Sequence, residues 1–289
     1  MNVPRRFVAV VMLVATATGC SNTPDPALQR LMESRRLAAD LVVQFTKAAD
    51  AANRAVMADT DEASTTFARE AEQAAQAVQS GMDALRPVLQ SLGYTDESRL
   101  LSEFAGRFSE YRALDRSILD LAVENTNLKA QRLSFGAAQQ AADAFRDALE
   151  GARPAAPADW RTEALVATAV GQVREIQVLQ APHIAEADDA AMTRIEERMA
   201  ASEAAARRAL RALAALVPLA ARPRLAAATA ALDQFMALNR EIVALSRRNT
   251  NVRSLALSLG QKRMLTAACE DTLGALQNAL AKRGFTATR

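Results

Sequence analysis

The chain has 289 residues, of which 50% are hydrophobic and only 4% aromatic, while glycine and proline are sparse. This composition favours α-helices, and the length allows one large or two ordinary domains. Once Arg5 and Arg6 of the expected leader are set aside, 33 basic residues balance 33 acidic ones, which argues against a nucleic-acid-binding protein.

The first predicted element is a signal peptide over residues 1–19. Two arginines precede an apolar run at 7–17. That run is shorter than the ~20 residues needed to cross a bilayer and is typical of the core of a signal peptide. The run leads into Ala-Thr-Gly-Cys at 17–20. An ordinary cleaved signal peptide followed by a chance cysteine is the alternative interpretation.

The Ala-Thr-Gly-Cys sequence resembles the lipobox of bacterial lipoproteins, although Ala17 stands where leucine is usual. The resemblance implies that the Cys20 thiol receives a diacylglyceryl group and becomes the new N-terminus, with a linker at 20–26. It also implies a lipid anchor in the cell envelope that faces the periplasm. Ser21 after the cysteine favours the outer membrane, by resemblance to sorting in enteric bacteria. Cys269 then has no disulfide partner and is predicted to be a small core residue.

From residue 27 onward, apolar residues recur at steps of three and four, which predicts amphipathic helices. Four such stretches lie in 27–151 and four in 158–289, separated by a Pro-containing linker at 152–157. We therefore expect an all-α protein with two tandem antiparallel four-helix bundles of long helices. Each of the two ranges is expected to fold alone.

A repeated motif relates the two predicted bundles. Residues 111–136 align without gaps to 235–260, with 11 identities in 26 positions. Both copies contain Asn-Thr-Asn, at 125–127 and at 249–251, followed by Leu-Ser-x-Gly. An alanine- and leucine-rich composition does not produce these polar matches in register, so internal duplication is the better explanation.

Two geometries are open for the Asn-Thr-Asn motif. A continuous helix would bury Asn125 and Asn249 in the core, where an amide fixes helix register. A turn would use them as corner residues that adopt left-handed backbone angles. Helix lengths favour the corner and leave Gly136 and Gly260 inside the fourth helices. The candidate corner or binding residues are Asn125, Thr126, Asn127, Asn249, Thr250 and Asn251, and we prefer the structural role.

The sequence YRALDRSILDLAVEN and its copy FMALNREIVALSRRN, each with the polar corner and then AQRLSFG or LALSLG, resemble the four-helix-bundle sensory module of bacterial chemoreceptors and sensor kinases. The resemblance covers the last half of each unit and implies a periplasmic module that binds a ligand or a partner. Those receptors continue into a second membrane helix and a signalling domain. This chain reaches Arg289 without them, so the expected partner is a chemoreceptor, a sensor kinase or another envelope protein.

The remaining candidates are few. Arg116 and Arg240 precede the two motifs by nine residues and could pair with a ligand carboxylate, although we prefer a surface role in which Arg116 faces Asp120. His183 beside Pro182 is predicted to lie in a loop, with no second metal ligand at a suitable spacing. We expect no enzyme activity, cofactor or metal, because nucleophile patterns and phosphate loops are missing from the sequence. The predicted function is a chemoreceptor-like binding lipoprotein, and the alternative is a structural or assembly lipoprotein.

Overall fold

The computed structural model describes residues 26–152 and 159–283, and within these ranges the regular structure is entirely helical. The all-α prediction is confirmed. The helices are α1 (Pro26–Met57), α2 (Asp61–Ser91), α3 (Thr95–Glu124), α4 (Thr126–Leu133), α5 (Gln139–Glu150), α6 (Trp160–Ala185), α7 (Asp189–Leu216), α8 (Arg222–Arg248), α9 (Thr250–Leu257) and α10 (Arg263–Arg283). A π-helical segment joins α4 to α5 (Ser134–Ala138) and another joins α9 to α10 (Ser258–Lys262), and a 3₁₀ turn at Leu219–Ala221 precedes α8.

The chain has two halves, residues 26–152 and residues 159–283, and local chemistry explains where the second helix of each half begins. The Thr60 hydroxyl accepts a hydrogen bond from the Ala63 amide (3.1 Å), and the Asp188 carboxylate accepts one from the Ala191 amide (2.6 Å). Both are N-caps that satisfy amide groups left without an intrahelical partner. Pro182 lies in the last turn of α6, where it interrupts little of the hydrogen-bond ladder.

The last helices of each half pack against the other half. One large core, which we call the first core, combines α1, α2 and α3 with α10, and contains Phe45, Phe104, Phe108, Leu273 and Leu276. The other, the second core, combines α4 and α5 with α6, α7 and α8. The expected tandem arrangement, in which 27–151 and 158–289 each close their own bundle, is not confirmed. The linker at 152–157 separates the sequence repeats, whereas both cores contain helices from both sides of it.

The length of the break between α3 and α4 explains this exchange. Only Asn125 separates the two helices, and only Asn249 separates α8 from α9. An antiparallel helical hairpin needs a loop of about two to five residues. A single residue bends the chain without reversing it, so α4 and α5 run beyond the end of α3 and meet the other half.

The two long helical segments, α3–α5 and α8–α10, therefore run antiparallel to each other. Arg283 binds Glu97 (2.8 Å) at one end of α3, and Arg107 in its middle donates to the Ala268 carbonyl (2.9 Å). Asn251 donates to Asn125 (2.8 Å) just beyond its other end. About 55 residues of helix at 1.5 Å each give a rod about 80 Å long.

The chain ends and loops have distinct places along this rod. Arg35 donates to the Leu280 carbonyl (3.1 Å), so the start of α1 and the end of α10 share one tip. Ser64 donates to the Ala122 carbonyl (3.0 Å) and Asn249 to the Glu186 carbonyl (2.7 Å). The α1–α2 and α6–α7 turns therefore lie at the centre of the rod, beside both Asn-Thr-Asn motifs.

Candidate functional site

The two Asn-Thr-Asn motifs meet at the centre of the rod and form what we call the Asn-Thr-Asn junction (residues 125–127 and 249–251). Asn125 (φ 52°) and Asn249 (φ 54°) adopt left-handed backbone angles, and no other non-glycine residue in the described ranges has a positive φ. Asparagine tolerates this conformation better than most residues. The chain bends at both asparagines, but neither bend is the helix-reversing corner that was expected.

Backbone amides across the junction are satisfied reciprocally. The Thr126 amide donates to the Thr250 hydroxyl (3.1 Å) and the Thr250 amide to the Thr126 hydroxyl (3.2 Å). The Asn127 amide donates to the Asn251 side-chain oxygen and the Asn251 amide to that of Asn127, both at 3.1 Å. Amides in the first turn of a helix lack intrahelical partners. Each motif thus caps the helix that begins at the other motif.

The asparagine side chains extend this pattern. Asn127 donates to Asn249 (2.8 Å) and to the Ile184 carbonyl (2.7 Å), while Asn251 donates to Asn125 (2.8 Å). The structure brings all six predicted residues together, and every one except the half-buried Asn251 is buried. These groups bind each other, so their arrangement is that of a structural clasp.

The junction is not fully symmetric, and this gives a test. Asn249 donates to the Glu186 carbonyl, whereas the Asn125 side-chain nitrogen has no partner among the described residues. We expect Asn249→Gly to cost about 1–3 kcal/mol of unfolding free energy because buried partners lose their hydrogen bonds, and Asn125→Gly to cost less. Asn249→Ala should cost about 1 kcal/mol more than Asn249→Gly because alanine is strained at positive φ.

The urea midpoints of these three variants, compared at an unchanged denaturant slope, measure the changes in the free energy of unfolding. Equal midpoints for the alanine and glycine variants of Asn249 would show that the left-handed backbone does not contribute. A lower midpoint for Asn125→Gly than for Asn249→Gly would contradict the assigned hydrogen bonds.

The Leu-Ser-x-Gly repeats coincide with the two π-helical segments, Ser134–Ala138 and Ser258–Lys262. A π turn accommodates one extra residue and rotates the face of the helix that follows. Gly136 and Gly260 lie inside helices as expected, but a β-carbon on either would meet no atom within 4 Å. Close packing therefore does not explain these two glycines.

A charged pair lies in the first core, and sequence reasoning missed it. Lys262 contacts Asp115 at 2.7 Å, with side-chain exposures of 2% and 6%. Burial raises the pKa of Asp115, although Lys262 opposes the rise. The hydroxyl of the neighbouring Tyr111 is buried and has no partner in the described ranges. The positions equivalent to Asp115, Lys262 and Tyr111 are Asn239, Ala138 and Phe235, which lie around the second core, so this ion pair has no counterpart there.

The second core holds a different polar network around His183, which lies in α6, so the loop prediction for it is wrong. Its ring nitrogens contact the Ser246 hydroxyl (2.9 Å) and the Glu196 carboxylate (2.8 Å). Glu196 also accepts a hydrogen bond from Arg247 (2.6 Å), which holds the pKa of Glu196 below its ordinary range. This network fills the space between α6, α7 and α8 near the junction.

The remaining predicted residues lie apart from the junction. Arg116 forms an ion pair with Glu72 of α2 (3.5 Å). The sequence had predicted Asp120 as its neighbour instead. Arg240 is exposed on α8. Cys20 lies outside the described residues. Cys269 is buried in the first core, and burial raises its pKa to about 12, which makes it a poor nucleophile.

Comparisons of the chain with protein-family models, characterised proteins and solved structures give no match. The likeness to chemoreceptor modules therefore depends on the quoted residues alone. Within 26–152 and 159–283, none of the helices combines the length and hydrophobicity that crossing a membrane requires.

Proposed function

We propose that the protein is a non-enzymatic lipoprotein of the cell envelope, anchored through Cys20, whose helical rod binds a ligand or partner on the periplasmic side. The Cys20 sequence supports the anchor. The resemblance to chemoreceptor modules supports a sensory role, with relay through another envelope protein. The observation that carries the binding role is a difference between the two halves beside the junction.

The halves correspond residue by residue at this place. Helices α1 and α2 correspond to α6 and α7 with a shift of 128, and α3 corresponds to α8 with a shift of 124. In the second half, Glu196 and Arg247 bind each other between α7 and α8 above the buried His183. The equivalent residues in the first half are Ala68, Val123 and Ala55.

The first half has an open groove at this place. Ala68 and Val123 line a groove of about 480 Å³ between α2 and α3. This volume is within the range of about 300–1,000 Å³ that is common for small-molecule sites. In the second half of the repeat, side chains of the protein fill this place, whereas in the first half it is open. We expect this difference if the open copy binds a ligand.

A thermal-shift screen of residues 26–289 against a metabolite collection tests the binding role. We expect at least one compound to raise the Tm in a dose-dependent manner, because a ligand that binds only the folded state stabilises it. A screen in which no compound shifts the Tm would argue against a small-molecule ligand.

The shape of the rod favours a second candidate, a structural or assembly lipoprotein. Pro26 lies at one tip, and Gly151, beside Arg224 at the start of α8, lies at the other, about 80 Å away. An anchor at Cys20 would hold the first tip at the membrane, outer rather than inner, and the second tip away from it. Crosslinking of the far tip to an envelope protein, without any metabolite hit, would support this function instead.

The anchor itself gives a prediction. Cys20→Ala is expected to abolish incorporation of labelled palmitate and to leave unprocessed precursor, because the thiol is the site of acylation. Cys269→Ala is the matched control and should keep wild-type labelling, since Cys269 is buried. Equal labelling of wild type and Cys20→Ala would refute the lipobox interpretation.

A further inference from the structure

The open groove between α2 and α3 has an apolar floor and a charged rim. Ala68, Leu119 and Val123 supply the apolar surface, and Arg69 and Arg116 lie among the charged lining residues. Arg116 is 59% exposed and reaches Glu72 only at 3.5 Å. Arg69 makes no ion pair with any residue in the described ranges. Both guanidinium groups are therefore available to a ligand.

The arginines around the groove share its carboxylates unevenly. Glu72 accepts a short hydrogen bond from Arg112 (2.6 Å), so one carboxylate serves two arginines. Burial raises the pKa of Glu72, but the hydrogen bonds from Arg112 and Gln76 and the nearby arginine charges outweigh it and hold that pKa below its ordinary range. The Arg112 Nε atom is buried and has no hydrogen-bond partner within the described part of the chain. Asp120 is the other acid of the lining, which therefore holds two arginines and two carboxylates. Arg112 binds Glu72 from outside the lining, so Arg69 and Arg116 face one carboxylate that has no other arginine partner, that of Asp120.

The second half indicates which chemistry this position accepts. There Glu196 inserts a carboxylate between the second and third helices of the repeat, and Arg247 binds it at 2.6 Å. The first half has Ala68 and Val123 in place of both members of that pair, and its arginines lie at the rim of the groove. A ligand that enters the groove would occupy the space that the pair fills in the second half.

The geometry points to a binding site for a small amphipathic monoanion in this groove. Its apolar body packs on Ala68, Leu119 and Val123, and its anionic group binds Arg116 with Arg69 beside it. Charge-assisted hydrogen bonds to guanidinium are stronger than neutral ones, so the anion sets the specificity. This inference rests on the proposed binding function and names the ligand class and the site.

Calorimetric titration of residues 26–289 with hexanoate, hexanesulfonate and 1-hexanol tests the ligand class. We expect saturable binding and a raised Tm with the two monoanions, and no saturable binding of the alcohol. Arg116→Gln should weaken the binding of hexanoate at least tenfold. Arg240→Gln, at the equivalent position of the second half, is the matched control and should leave the affinity unchanged.

A second variant tests the location. Ala68→Glu with Val123→Arg copies the Glu196–Arg247 pair into the first half and should abolish binding while cooperative unfolding is retained. Equal binding of 1-hexanol, no saturable binding of either monoanion, or equal losses in Arg116→Gln and Arg240→Gln would each overturn the inference. If a metabolite from the thermal-shift screen still binds Ala68→Glu with Val123→Arg, this site would be overturned and the proposed function would stand. No hit of any kind would overturn both.

Discussion

Replacing Lys262 with alanine is expected to destabilise the protein by about 3–5 kcal/mol, the usual cost of removing one partner from a buried ion pair. Asp115 would remain as a carboxylate in an apolar core, where it is 4% exposed and where burial already raises its pKa. Most domains have a total stability of about 5–15 kcal/mol, so this single change is large.

The equivalent positions around the second core supply the control for Lys262→Ala. The double variant Asp115→Asn with Lys262→Ala introduces the residues found at the equivalent positions 239 and 138. It should recover most of the lost stability, because replacing both members of a buried pair removes the unpaired charge. Urea midpoints of the wild type and the two variants measure this. A double variant as unstable as the single one would show that the charge of Asp115 is not the cause.

The pH dependence of Lys262→Ala has a defined sign. Because the pKa of Asp115 is raised in the folded state, protonation favours folding, and stability is lost as the pH rises through that raised pKa. The gap between wild type and Lys262→Ala should therefore be smaller near pH 4 than near pH 7.5. A gap of the same size at both pH values would contradict an ionised Asp115 in the variant.

Cutting the chain within residues 153–158 is expected to leave the two halves bound to each other. A protease site inserted there should give two fragments that elute together at the mass of the uncut protein and keep its helical content. The reason is that each core draws helices from both sides of the cut. Two tandem bundles would instead separate into two folded monomers, and that result would contradict the exchanged helices.

The control for the cut is the junction. Thr126→Val with Thr250→Val removes the hydroxyls that accept the two reciprocal amide hydrogen bonds. Cut protein with both changes should dissociate at a lower urea concentration than cut wild type, because buried amides lose their acceptors. If both cut proteins dissociate at the same concentration, the cores alone hold the halves together.

The helices, the duplication and the bend at each asparagine were accessible from the sequence, whereas the partner of each helix was not. Steps of three and four identify which face of a helix is buried and contain no information on which helix covers it. The predicted corner used all three residues of Asn-Thr-Asn, which is a sufficient length for a helical hairpin. In the structure Thr126 and Asn127 are already helical, so only Asn125 is left and the chain does not reverse.

The charged sites were hidden for a related reason. Lys262 and Asp115 are 147 positions apart, and Arg116 meets Glu72 of another helix instead of Asp120 one turn away. Neighbour rules along one helix do not reach such pairs. The aligned repeats have aspartate at 115 and asparagine at 239, between matching residues at 113–114 and 116. That difference was the available indication of a charge in one copy only.

The Asp115–Lys262 pair also has a consequence for which halves pack together. Because the backbone hydrogen bonds across the Asn-Thr-Asn junction are reciprocal, two first halves from neighbouring chains could present the same groups to each other. Such a like-with-like pair would set each Asp115 against Ala138, and a pair of second halves would set each Lys262 against Asn239, leaving buried charges without a counterion. Only unlike halves place Lys262 beside Asp115, so the ion pair favours the packing of a first half on a second half over the packing of like halves.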